Sequence, residues 1–140
     1  MIEKYFDIAL KEAEKAYKSF QVPVGAVIVE KDVVISKAHN KRDTSHSVLD
    51  HAEIIAINKA EKILKNWRLD QCDLYVTLEP CNMCKEIIKE SRIKNVYYLI
   101  KSSSYNNKIK VNDKVNFKKV YYKQTNYYSK LFLEFFNKIR

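Results

Sequence analysis

His51-Ala52-Glu53 and Pro80-Cys81-Asn82-Met83-Cys84 are the two stretches of this chain whose residue types can do chemistry together. His51, Cys81 and Cys84 supply one imidazole and two thiolates, donors that suit a zinc ion (Zn2+) and leave its fourth position for water. A structural zinc site normally closes all four positions with protein donors, whereas a catalytic one keeps a position open. Glu53 is not needed as a ligand, and a carboxylate beside such a water is what a proton shuttle requires. The competing readings are a redox CxxC pair and a four-donor structural site completed by Cys72, His39 or His46. The structural site would leave Glu53 and Pro80 without a purpose. Cys72, just ahead of a strand-like run, reads as a small apolar packing residue.

The spacing constrains where these residues can sit. Residues two apart in a helix interior diverge by about 200°, so His51 and Glu53 can serve one site only at the first turn of a helix. Asp50 is then the expected cap, and Ile54, Ile55, Ala60, Ile63 and Leu64 continue with helical periodicity. Cys81 and Cys84, three apart, share one face of a second helix whose first turn is marked by Pro80. Two helix N-termini therefore aim at one metal, and their dipoles favour the anionic thiolates and hydroxide expected there.

The elements that must position these starts follow from the pattern. Ile2, Phe6, Ala9, Leu10, Ala13, Tyr17 and Phe20 form an apolar stripe at helical spacing. Val24–Val29 and Val33–Ala38 are β-rich runs split by the polar Glu30-Lys31-Asp32, which predicts a hairpin. The helix starting near His51 runs to about Leu64, and Leu74–Leu78 is a buried strand leading into the cysteine helix, which ends near Ser91. Val96–Ile100 and Val120–Tyr122 are further strands, and Tyr128–Ile139 closes the chain as a helix with Leu131, Phe132, Phe135 and Phe136 on its apolar side. Residues 102–119 are polar, rich in Asn and Lys and without convincing periodicity, and read as a loop or a poorly ordered excursion. The order predicts an α/β fold: a three-layer α/β/α sandwich around a mixed, roughly five-stranded sheet, with residues 1–140 as a single domain. Its ligands belong at the carboxyl ends of strands.

Composition sets outer bounds. No run of about 18 apolar residues is present, so no membrane span is expected, and the N-terminal stretch reads as an amphipathic helix rather than a signal peptide. Three cysteines, two of them assigned to metal, argue against a disulfide framework and for the cytoplasm. The net charge of +9 suits a polyanion such as RNA. An AT-rich coding bias would produce the same abundance of Lys, Asn, Ile and Tyr, so charge alone does not choose the partner.

With these blocks in place, the sequence resembles the cytidine/deoxycytidylate deaminase superfamily, most closely its bacterial tRNA-specific adenosine deaminases. The matching blocks are Val22–Val27, Asn40, His51–Ile54, Leu74–Cys84 and Ser91–Ile93, with Phe135–Arg140 similar to the family's closing helix. The resemblance implies zinc held by His51, Cys81 and Cys84, Glu53 as general acid/base, and the substrate base met by Asn40 and the backbone N–H of Ala52, the other reading of Asn40 being a turn residue that closes the second strand. His46 matches a histidine of the preceding loop that approaches substrate, or is a simple loop residue. Gly25, the one glycine, marks a close approach by backbone or ligand: a pocket wall or a strand bend. The implied reaction is hydrolytic deamination of adenosine to inosine at the tRNA wobble position, by a homodimer. Lys101–Asn107 departs from the family, lacking the acidic residue and glycines usual there. That departure keeps a deaminase of free bases or nucleotides (cytosine, guanine, deoxycytidylate) as the alternative. A catalytically silent RNA-binding or partner subunit is the third reading, and the presence of Glu53 counts against it.

Overall fold

The computed structural model describes residues 2–41, 46–102 and 115–138. Along them run α1 (Glu3–Lys18), β1 (Gly25–Glu30), β2 (Val33–His39), α2 (Ala52–Leu64), β3 (Cys72–Leu78), α3 (Asn82–Glu90), β4 (Asn95–Ile100), β5 (Asn116–Lys119) and α4 (Thr125–Lys138). The strands form one sheet in the order β2-β1-β3-β4-β5. β1 is antiparallel to β2 and β3, while β3, β4 and β5 run parallel. The sheet is thus mixed, and helices cover both faces. This is the expected three-layer sandwich.

The strands are apolar on both sides because both faces are covered. Ala26 and Ile28 of β1, with Leu74 and Val76 of β3, face α2 and α3. Val27, Val29 and Tyr75 face the other way, onto Tyr5, Phe6, Ala9 and Leu10 of α1 and Tyr128 of α4. Ala52, Ala56 and Ala60, one per helical turn, form the sheet-facing row of α2 and are fully buried. The hairpin turns at Lys31 and Asp32, both in the left-handed region with φ of 47° and 64°, as a two-residue hairpin loop requires.

Three expectations are corrected. The fifth strand is Asn116–Lys119 rather than Val120–Tyr122, so the end of the stretch read as a loop is paired to β4. Residues 103–114 of that stretch lie outside the described residues. The closing helix starts at Thr125, three residues before the expected start at Tyr128. At α2 the cap position belongs to His51, whose backbone is extended (φ −75°, ψ 150°), and not to Asp50.

Gly25 also has its explanation here. A Cβ on it would lie 1.8 Å from the Ala9 carbonyl oxygen and 2.8 Å from the Ala13 nitrogen, so the close approach is by the α1 backbone, not by a ligand. The need is for space, since its φ is not positive. Gly25→Ala should force α1 off the sheet and lower stability by about 2 kcal/mol or more, in the range of overpacked cores. Denaturant unfolding checks this, and an unchanged midpoint would contradict it.

Candidate active site

Two helix starts meet at the carboxyl end of β3. α2 begins at Ala52 with His51 as its cap residue, and α3 begins at Asn82 with Cys81 as its cap residue. Neither cap side chain bonds to its own helix. Extended backbone at both positions turns these side chains away from the helices and toward each other. Cys84, in the first turn of α3, joins them. The His51 Nδ1 lies 3.4 Å from Cys84 Sγ and 3.7 Å from Cys81 Sγ, and the donor atoms of all three residues fall within 4.8 Å of one another.

One imidazole and two thiols brought together in this way fit zinc, with room for an open position as in catalytic sites. The electrostatics agree. The Cys81 thiol is held down to about 4, chiefly by the S–H that Cys84 directs at it and further by His51. Cys84, keeping that proton, is pushed up. A metal ion is the partner that lets both ionise.

Glu53 lies one residue into α2 and is 3% exposed. Its Oε1 is buried with no hydrogen-bond partner among the described residues. Burial pushes the carboxyl up to about 7, with the charge of Cys81 adding to the rise and its own backbone hydrogen bond, His51 and Cys84 opposing it. A buried carboxylate oxygen without a partner costs stability, and its place beside a metal-binding cluster is where such a cost has a use.

Above this group opens a cavity of about 180 Å³ lined by Val22, Val24, Asn40, His51, Glu53, Leu78, Glu79, Cys81, Ser102, Phe132 and Phe136. Asn40 is held at its edge, accepting the Ala52 N–H on Oδ1 at 3.2 Å. The Ala52 N–H is therefore engaged by Asn40 and does not stand open to the cavity. Gly25 is absent from the lining for the steric reason given above. His46 is exposed in the left-handed region (φ 54°) and is likewise not among the lining residues. His39 is drawn off by Glu12, with Nδ1 3.1 Å from its Oε1. Cys72 is buried beside Glu30, and burial pushes its thiol up to about 12, as expected of an inert packing residue.

Phe132, Phe136, Glu79 and Ser102 are among the lining residues that carried no functional reading in sequence. Phe132 and Phe136, one helical turn apart on α4, contact each other at 5.0 Å between ring centroids and wall the cavity, although their spacing reads simply as core. Glu79 is buried. Its Oε2 accepts Lys85 Nζ at 3.1 Å, and its Oε1 accepts the backbone N–H of Ser102 at 3.2 Å, which fixes the exit of β4 against the site. Its place directly before Pro80-Cys81 was the available signal. Ser102 had none.

A family model, the cytidine and deoxycytidylate deaminase zinc-binding region, matches residues 1–100. A tRNA-specific adenosine deaminase from Rickettsia bellii is 49% identical over 92 residues, which cover 64% of this chain and 63% of that protein. The matched stretch thus spans less than two thirds of that relative. Among solved structures, one from a study of A-to-I editing by tRNA:A34 deaminases at the wobble position superposes with a TM-score of 0.78. It is 32% identical, and the match covers 84% of this chain and 97% of that one. A guanine deaminase from Bacillus subtilis superposes with a TM-score of 0.70 at 27% identity, covering 94% of this chain and 93% of that one.

Proposed function

The chain belongs to the cytidine and deoxycytidylate deaminase zinc-binding family, and from that premise we propose that it hydrolyses adenosine to inosine at the wobble position of tRNA. The observation that carries the chemistry is Glu53, whose buried Oε1, without a partner among the described residues, stands beside the His51–Cys81–Cys84 cluster at a cavity that both line. His51, Cys81 and Cys84 would hold zinc, which when bound supplies a nucleophile at neutral pH by lowering the pKa of water to about 7. Glu53 takes a proton at Oε1 as water adds to the carbon bearing the amino group, and passes it to the adjacent ring nitrogen. It then takes the remaining proton from the added hydroxyl, whose oxygen becomes the carbonyl, and delivers it to the amino group, which leaves as ammonia. Burial, which raises the carboxyl's affinity for a proton, suits both duties.

The cavity of about 180 Å³ is small beside the ~300–1,000 Å³ of pockets that enclose drug-sized ligands. It suits one base, which RNA must present flipped out of its stack. Val22, Val24, Leu78, Phe132 and Phe136 give that base apolar walls, and Asn40 gives it a polar edge. The R. bellii relative and the wobble-editing structure support tRNA as the carrier of the base. Residues 1–140 would act as one unit in the cytoplasm, as a homodimer. Among the described residues no helix is long and apolar enough to cross a membrane.

A second reading is a free-base deaminase, favoured by a cavity of single-base size and by the likeness to guanine deaminase over 94% of the chain. Salt separates the two. Turnover of tRNA at subsaturating concentration should fall steeply with ionic strength, log K dropping by about 0.7–0.9 per phosphate contact for each unit of log salt. A free base carries no phosphate and should show almost no slope. Assays with tRNA bearing an ACG anticodon, guanine and cytosine decide it: efficient, salt-insensitive turnover of a free base with tRNA untouched would overturn the proposal.

A further inference from the structure

Between Asp113 and Glu134 the sequence holds no acidic residue, but it carries Lys114, Lys118, Lys119, Lys123 and Lys130 interleaved with four tyrosines. The structure separates those tyrosines by role. Tyr122 is buried with its ring 5.7 Å from that of Phe6 and donates to Asp7, and Tyr128 donates to the Pro23 carbonyl at 2.7 Å. Tyr127 donates to Glu14 at 2.6 Å. Tyr121, by contrast, is 89% exposed. Lys119 and Lys123 flank it, also exposed. With Leu99, Lys119, Val120 and Thr125 it borders a cavity of about 280 Å³. The Oγ1 of Thr125 is buried without a hydrogen-bond partner among the described residues.

The sheet fixes where this group lies. The Val120 N–H donates to the Tyr98 carbonyl at 2.9 Å, continuing the β4–β5 register one residue past Lys119. Tyr121 is therefore level with the carboxyl end of β4. Leu78, in the wall of the Glu53 cavity, pairs with Ile100 at that same end. The two features lie on one rim of the sheet, two strand spacings or about 10 Å apart. Exposed Lys101 lies between them, next to Ser102 in the cavity wall.

We infer that Lys119, Tyr121 and Lys123 form a platform for the single-stranded RNA flanking the target base, on which a neighbouring base stacks against Tyr121 while the lysines hold phosphates. This rests on the reading of tRNA as substrate. Lysines on an edge strand also block edge-to-edge pairing, but that role has no use for an exposed aromatic ring between them. Stacking on an aromatic face within a basic track is how single strands are held without reading their sequence. The platform lies beyond residues 1–100, the stretch that the family model matches.

The test uses the zinc-loaded, full-length protein and tRNA bearing an ACG anticodon. Tyr121→Ala should raise the KM for tRNA about tenfold or more with kcat at saturation held, in line with the loss of one base–aromatic stack. Tyr121→Phe, which keeps the ring, should restore KM. Replacing both Lys119 and Lys123 by Ala should flatten the slope of log Kd against log salt by about 1.4, two single-strand phosphate contacts. If the wild type turns over tRNA and all three variants keep its KM and salt slope, the platform is overturned and the substrate stands. If the wild type leaves tRNA untouched, both are overturned.

Discussion

Glu53→Ala should abolish turnover while leaving the fold at least as stable as the wild type. Loss of a positioned general acid/base costs on the order of 10² to 10⁴ in rate, about 3–5.5 kcal/mol of transition-state stabilisation, and Glu53 is assigned several proton transfers. The structure adds a second half to the expectation. Glu53 is buried and its Oε1 has no partner among the described residues, so the loss of that oxygen removes a desolvation cost that offsets the loss of the carboxyl's remaining hydrogen bonds. Turnover and thermal stability should move in opposite directions, or stability should not move at all. That is the signature of a residue kept for chemistry at the expense of the fold. Zinc content should stay at one per chain. A Glu53→Ala protein with near wild-type turnover would sink the mechanism, and one that loses turnover only because it unfolds would reassign Glu53 to structure.

The second large effect concerns the metal. Cys81→Ser combined with Cys84→Ser should remove zinc and lower the melting temperature. A ligand present at 100 times its Kd stabilises by about 2.7 kcal/mol, which for a domain of this size corresponds to roughly 10 °C. The stabilisation comes from binding, so wild-type protein stripped by a chelator should melt where the double variant does, and zinc should restore only the wild type. Cys72→Ser should keep its zinc, because Cys72 lies at the start of β3 beside Glu30, outside the donor group. Stoichiometric zinc in the double variant would contradict the assignment.

Much of the scaffold was legible in the chain. Alternating and continuous apolar runs marked four of the five strands, and the two-residue gap between His51 and Glu53 already required a helix start rather than a helix interior. What sequence could not supply is telling in each case. β5 is an edge strand of four residues, three of them exposed or nearly so, and its pairing comes from β4 rather than from its own pattern. Gly25 signalled a close approach, yet only the packed α1 backbone shows which side the approach comes from. Phe132 and Phe136 have core spacing, and their place at the cavity depends on how α4 crosses the sheet. Asn40 was read toward substrate. The structure shows it also closing the first turn of α2 through the Ala52 N–H, a contact between segments that no local pattern encodes. Glu79 and Lys85, six residues apart, form a buried pair that a linear reading takes for ordinary surface charge.

The central claim, that this cavity hydrolyses the amino group of a wobble adenosine, is tested most directly by isotope transfer. The zinc-loaded protein is incubated with tRNA bearing an ACG anticodon in water enriched in oxygen-18, and the wobble nucleoside is recovered for mass analysis. The account predicts inosine at that position carrying one solvent oxygen, formed by the wild type and not by Glu53→Ala. Recovery of unchanged adenosine there, under conditions in which the same preparation consumes guanine or cytosine, would contradict it.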